Sequence, residues 1–336
     1  MLPEAKADAV ARALHDAFGV PTFEDIRMLT AGQSGALVFR IVVRGSPYLL
    51  RVVKDTGDAV GPGRGDQTNH FTCMKLAAEA GIAPCVWYTS LEDRVSITDF
   101  VDVKPFSRTE ALARLPSTLR TLHALPPFPL MRTGTYLANM DGFVRRFLAA
   151  KTLPEPEAEK LSLAYERVAA AYPRDGSDTV SSHNDLNPEN ILFDGDRPWL
   201  VDWEASFQND RYLDLAVVAN FVVTNDAEEE SYLRKYFGEA AGDYRMARFY
   251  LMRQLLHVFC PAVLWLLNRE GKPMDSTAKA PDFRDFHNRL WAHEVNLAAK
   301  ETKQQYARVH INQILQNMQT ARFEDALRIV SQRASG

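Results

Sequence analysis

The sequence predicts an α+β protein in two unequal parts, a β-rich first part and a mainly helical second one, and three observations carry that prediction. Two runs rich in β-branched and aromatic residues, Ala36 to Val43 and Tyr48 to Val53, flank the turn-forming Arg44-Gly45-Ser46-Pro47, the pattern of a β-hairpin. After Lys104-Pro105 the composition becomes helical and stays so. A single polar island at 183–202 interrupts that helical half. The boundary is therefore expected near residues 100–106, with parts at 1–102 and 103–336.

Each element follows from its local pattern. Residues 4–18 place Ala9, Val10, Ala13, Leu14, Ala17 and Phe18 at helical spacing before Gly19, which predicts an amphipathic opening helix. The hairpin comes next. Gly57, Gly61, Gly63 and Gly65 around Pro62 predict a loose connection into a helix that stops at Gly81. Short strands are expected near Cys85 to Thr89 and Arg94 to Phe100. Ser107 followed by Glu110 forms a capping box, and helices are expected near 107–124, 135–151 and 155–172, separated by prolines. In the island, Asn190 to Asp194 and Trp199 to Asp202 read as two short strands joined by Asp194-Gly195-Asp196. Beyond Leu213 nearly everything reads as helix, ending in an amphipathic segment near 304–332.

Composition narrows the function classes. Hydrophobic residues make up 46% and charged residues 24% of 336 residues, a profile that folds into one large or two ordinary domains. The formal charge of -4 provides no global field for nucleic acid or an anionic membrane. Three cysteines, Cys73, Cys85 and Cys260, lack ligand spacing and fit a reducing compartment. The charged N-terminus lacks the apolar core of a signal peptide. The apolar run Leu255 to Leu267, broken by His257 and Pro261, falls short of the roughly 20 residues that cross a bilayer. A cytoplasmic protein with no membrane span and no nucleic-acid partner is expected.

The chemistry concentrates in His183-Asn184-Asp185-Leu186-Asn187-Pro188-Glu189-Asn190 and Leu200-Val201-Asp202-Trp203-Glu204. Phosphoryl transfer needs a carboxylate to orient or deprotonate a hydroxyl, and oxygen ligands to hold Mg²⁺ against nucleotide phosphates. Asp185, Asn190 and Asp202 supply that set. Asp and Asn alone usually serve turns. Their joint spacing, His183-x-Asp185 with Asn190 five residues on and Asp202 twelve further, with short strands between, matches the catalytic loop and metal motif of kinases. Two rival motifs fail: His293-Glu294 has Leu297 where a zincin needs its second His, and Gly61-Pro62-Gly63-Arg64-Gly65 lacks the Gly-Lys-Ser/Thr of a Walker loop.

These motifs resemble those of the aminoglycoside phosphotransferase and choline/ethanolamine kinase group, relatives of the protein kinases, over about residues 20–270. The resemblance implies a bilobal protein-kinase-like fold that binds ATP and Mg²⁺, with Asp185 as catalytic base and Asn190 and Asp202 as metal ligands. It implies that Gly32, Ser34 and Gly35 present a loop to the phosphates, that Arg51 contacts them from a strand with Lys54 as fallback, and that the backbone of Asp99 and Val101 holds adenine. Asp214 corresponds to the residue that braces the catalytic loop, and His183 packs behind that loop. The acceptor is expected to be a small hydroxyl-bearing molecule, an amine-bearing metabolite of choline, ethanolamine or thiamine type, or an aminoglycoside. Asn187, Glu204 and Asp210 are its candidate binders, and aromatic candidates are Tyr250, Phe259, Trp265, Phe286 and Trp291, for which core packing is the blander reading.

Two departures stand out. The helix after the glycine-rich connection has no Glu before Glu79 to pair with Arg51, so Asp66, His70 or another group must do so. Ala205 also occupies a position where choline kinases usually carry Tyr. A nucleotide-binding scaffold without transferase activity is the rival reading.

Overall fold

The hairpin forms, and its turn is tighter than the sequence suggests. In the computed structural model Ala36–Val43 (β2) pairs with Ser46–Val53 (β3) in register Val43↔Ser46. Only Arg44 and Gly45 turn, both at positive φ (52° and 75°), the two-residue geometry whose twist suits paired strands. Ser46 and Pro47 already belong to the strand. The structure describes residues 2–29, 36–53, 67–131, 133–267 and 280–334. The loop at Gly32, Ser34 and Gly35, together with Lys54 and the glycine-rich connection 57–65, lies outside them.

The chain divides into two compact units, Met1–Phe106 with Asn190–Ser206, and Ser107–Glu189 with Phe207–Gly336. The first is built on an antiparallel sheet of order β1-β2-β3-β5-β4, in which β1 is Asp25–Met28, β4 is Val86–Ser90 and β5 is Val95–Asp99. Strand β1 is an addition to the expected elements. Its mostly exposed Asp-Ile-Arg-Met alternates charged and apolar residues over only four positions, the least that signals a strand. The opening helix α1 (Ala7–Phe18) follows one 3₁₀ turn and ends at Gly19 in the left-handed region. It lays Ala9, Val10, Ala13 and Leu14 against Phe39, Ile41, Leu50, Val52, Val95 and Ile97. Helix α2 (Gln67–Glu79) completes the contiguous part of the unit.

The segment Asn190–Ser206 is sewn into this first unit by backbone. It holds β7 (Ile191–Phe193) and β8 (Pro198–Leu200). Leu200 N–H donates to Ile82 C=O at 2.8 Å and Lys104 N–H to Phe193 C=O at 2.7 Å. Phe106 stacks on Phe193 at 4.3 Å, and Cys73 Sγ reaches Ser206 C=O.

The second unit is helical, as expected, apart from a two-stranded ladder of β6 (Thr179–Ser182) and β9 (Phe207–Asp210). Helix α3 (Arg108–His123) starts with the capping box of Ser107 and Glu110. Helices α4 (Tyr136–Ala149) and α5 (Glu155–Ala171) follow before the ladder, and α6 (Arg211–Val222), α7 (Asp226–Phe237) and α8 (Asp243–Leu267) after it. Helix α9 is Phe283–Trp291, and the expected single C-terminal segment is two helices, α10 (Lys300–Asn317) and α11 (Ala321–Ala334). Helix α8 is longer than its apolar core suggests. By length and composition it contains one window able to cross a bilayer, but 67% of that window is buried, against α4, α5, α6, α10 and α11.

Three histidines lie in this helical core. His257, His287 and His310 are all buried, with His257 Nδ1 and His310 Nδ1 3.0 Å apart and the His287 ring 4.0 Å from Phe283. Burial holds all three below the ordinary histidine value, His310 at about 3; Arg253 reinforces this at each ring and Arg284 at His257 and His287. The folded state therefore keeps them neutral, while the unfolded chain protonates them below pH ~6.5. Stability should fall as pH drops below ~6.5, each histidine adding up to about 1.4 kcal/mol per pH unit. Urea midpoints measured between pH 7.5 and 5.5 check this, and His310→Phe should flatten the dependence.

Candidate active site

In the second unit the ladder delivers the loop that carries Asp185. Strand β6 runs into His183 and Asn184, whose amides donate to Asp214 Oδ2 and Oδ1, both at 2.8 Å. Asp214, in the first turn of α6, is fully buried, and these bonds, with a third from His123, compensate its charge. Its expected bracing role is what the geometry displays. Asn184 sits at φ 66°, a strained bend for a residue with a side chain, and that side chain is clamped by Asn209 Nδ2 at 2.7 Å. His183 is buried behind the loop, as expected, and Leu186 anchors its other side.

The bend turns Asp185 outward, half-buried. Asn187 Nδ2 donates to Asp185 Oδ1 at 3.2 Å, and Asn187 Oδ1 accepts from Glu189 N–H at 2.9 Å. Asn187, expected at the acceptor hydroxyl, thus also orients the carboxylate beside it. Around Asp185 the sequence reading missed Tyr136, Cys260 and Tyr306. Burial raises the pKa of all three, Cys260 to about 12, and the Asp185 charge adds to each shift, so they stay protonated and neutral. They come from α4, α8 and α10, and no local spacing links those helices.

In the first unit Arg51 lies mid-strand on β3, opposite Val38 and Ser96. Its guanidinium pairs with Glu204. Burial lowers the Arg51 pKa, and the Asp202 carboxylate opposes that shift. Glu204 therefore supplies the partner that the sequence sought at Asp66 or His70, a correction to its expected place at the acceptor amine. The reason is the hairpin, which returns residues 202–204 to the sheet. Asp202 takes the left-handed conformation (φ 64°), and its Oδ1 is buried with no hydrogen-bond partner among the described residues. Asn190, also buried, is tied to this end by Val201 N–H donating to its carbonyl at 3.0 Å.

That unsatisfied oxygen is the test for a divalent ion. A carboxylate oxygen and an amide side chain are the hard, sparse donor set that Mg²⁺ accepts when phosphates complete its shell. Asp202 and Asn190 fit it.

Three other expectations change. Asp210 caps α6 through Tyr212 N–H, and its buried carboxylate bonds Arg248 at 2.8 Å and Tyr172 at 3.0 Å, so it is committed to the core and unavailable to an acceptor amine. Asp99, expected to hold adenine through its backbone, already donates its N–H to Cys85 C=O at 2.9 Å, and its carbonyl accepts from the Thr98 hydroxyl at 3.3 Å. The aromatic candidates pack in the core: Phe147 meets Trp265, Arg322 covers Tyr250, and Phe286 and Trp291 are buried. Two of them also reach the site, Phe259 through Tyr136 at 5.5 Å and Phe286 through Tyr306 at 6.0 Å.

Removing Glu204 strands a largely buried guanidinium. Glu204→Ala should cost about 1–3 kcal/mol of stability, read as a lower urea midpoint.

Comparison with known proteins places this geometry. The chain matches the phosphotransferase enzyme family, APH, over residues 25–250. It is 34% identical over 87 residues to protein LicA of Haemophilus influenzae, a match covering 25% of this chain, and it spans about a third (32%) of that relative's length. A choline/ethanolamine kinase family protein from Mesorhizobium loti shares the fold with TM-score 0.68 at 22% identity, over 97% of this chain and 99% of that one. Choline kinase LicA from Streptococcus pneumoniae does so with TM-score 0.57 at 15% identity, over 92% and 98%. The α+β fold is that of the protein-kinase-like enzymes, and the chain belongs to the phosphotransferase enzyme family.

Proposed function

We propose that this chain transfers the γ-phosphoryl group of ATP to the hydroxyl of a small amine-bearing alcohol, with Asp185 as the base. The observation that carries the reading is the Asp185 carboxylate itself, half-buried, steadied by Asn187, and presented by a loop whose backbone is pinned to Asp214. An acceptor hydroxyl that hydrogen-bonds to Asp185 is aimed and relieved of its proton as the bond to phosphorus forms. Arg51 offers guanidinium N–H groups to the phosphates, and the loop at Gly32, Ser34 and Gly35 would cover them. The Asp99 carbonyl and the Val101 backbone hold adenine. Asp202 and Asn190 would hold Mg²⁺, which when bound would neutralise charge on the phosphates. The rival reading, a nucleotide-binding scaffold, is weakened because Asp185, Asn190, Asp202 and a carboxylate partner for Arg51 are all present.

The acceptor class follows from what surrounds Asp185. Asp210 is committed to Arg248 and Glu204 to Arg51, so a primary amine finds no spare carboxylate in either. The groups near Asp185 are instead neutral and largely aromatic: Tyr136, with Phe207 and Phe259 against it, and Tyr306. Aromatic faces attract an alkylated ammonium by about 0.5–2 kcal/mol per good contact. A choline-like alcohol fits them better than an aminoglycoside does, and a cytoplasmic ATP pool would serve the reaction.

Phosphate transfer assayed over choline, ethanolamine, thiamine, methylthioribose, homoserine and several aminoglycosides should show the highest kcat/KM for a choline-like acceptor; turnover of aminoglycosides alone would overturn the acceptor class. Asp185→Ala should remove nearly all turnover, at least about 100-fold, and leave ATP affinity within a few-fold. Mg²⁺ with ADP should raise the thermal midpoint of the wild type and fail to do so in Asp202→Ala.

A further inference from the structure

The Asp214 carboxylate that pins the loop is the end of a longer buried chain of hydrogen bonds. His123, on α3, is buried with Nε2 3.2 Å from Asp214 Oδ2 and Nδ1 2.6 Å from the Tyr236 hydroxyl on α7. Arg211 Nη1 lies 3.4 Å from that same hydroxyl, and its Nε lies 3.0 Å from Asp178 Oδ1. A guanidinium can only donate. The tyrosine oxygen therefore accepts from Arg211, and since the Asp214 carboxylate calls for a proton on His123 Nε2, the neutral ring leaves Nδ1 to accept the tyrosine's own proton. That makes Nδ1 the acceptor and leaves Nε2–H to donate to Asp214. Every bond in the chain then points the same way, from Arg211 through Tyr236 and His123 to Asp214.

Asp214 thus takes three donors, the His183 amide and His123 on Oδ2 and the Asn184 amide on Oδ1. A fully buried carboxylate needs such compensation, and the two loop amides share the load only while the third donor is in place. We propose that His123 is a positioning residue for phosphoryl transfer: its Nε2–H, in a tautomer selected by Tyr236, fixes the Asp214 carboxylate and through it the Asn184 bend that aims Asp185. This rests on the reading of Asp185 as the base.

Three variants test it. His123→Leu removes the donor, His123→Gln keeps an amide N–H toward Asp214, and Tyr236→Phe removes only the group that selects the tautomer. His123→Leu should lower kcat about 10- to 100-fold, the range typical of groups that orient a catalytic residue, with KM for ATP within about twofold. His123→Gln should recover part of that loss, and Tyr236→Phe added to His123→Leu should cost little more, because both act through one chain. Amide hydrogen exchange supplies a readout independent of turnover: the His183 and Asn184 amides should exchange faster in His123→Leu, while those of β7 and β8 keep wild-type rates.

Wild-type exchange at His183 and Asn184 in His123→Leu overturns the proposal even if Asp185 proves essential. So does a kcat loss that merely follows a uniform rise in exchange across the second unit. If instead Asp185→Ala keeps its turnover, the base is misassigned. The exchange result then still decides whether His123 holds the loop, and unchanged kcat in His123→Leu ends its role in the reaction.

Discussion

A single buried carboxylate, Asp214, sets the backbone on which the chemistry of the second unit depends. The loop His183-Asn184-Asp185 has no regular structure of its own to hold it, and its central residue adopts a conformation that costs on the order of 1 kcal/mol or more. That bend persists because two consecutive amides find one ion with both oxygens available. Asp214 is itself fixed by position, one turn into α6, whose first residues are tied back to β9 by the Asp210 cap. Helix, ladder and loop are therefore one polar assembly wrapped in an apolar one.

The first unit solves a different problem, how to keep a cation inside a sheet. Arg51 stands on a central strand, opposite Val38 and Ser96 and largely buried, where an isolated charge is expensive. In the sequence its partner seemed missing, since the following helix has no early Glu. The hairpin supplies it from far along the chain, and the same three residues that bring Glu204 also bring Asp202. One local geometry thus serves the cation and leaves an anionic oxygen unsatisfied beside it.

How much of this was legible depended on whether the signal was local. The β2–β3 hairpin, α1 and the capping box at Ser107 are written in spacing and turn residues, so the sequence reading found them; the roles of Asp185, Asn190 and Asp202 are proposals drawn from the motif. Strand β1 and the β6–β9 ladder were missed because each strand runs for only four residues, and Thr-Val-Ser-Ser also carries polar residues where a strand signal would be apolar. Glu204 and Asp210 were placed at the acceptor because exposed carboxylates look alike in sequence. Their partners, Arg51 and Arg248, lie 153 and 38 residues away, and pairing at that distance leaves no periodic trace. Tyr136, Cys260 and Tyr306 were invisible for the same reason.

The assignment of Asn190–Ser206 to the first unit has a consequence for how the protein can be dissected and inherited. The polypeptide passes from one compact unit to the other at Phe106, at Glu189 and again at Ser206. No single cut separates them. A fragment stopped at residue 106 would uncover the Ile82 and Lys104 backbone that the hairpin satisfies and would leave Arg51 without its counter-ion. Exchanging either unit between relatives would require two separate stretches of sequence to move together, 1–106 with 190–206 or 107–189 with 207–336.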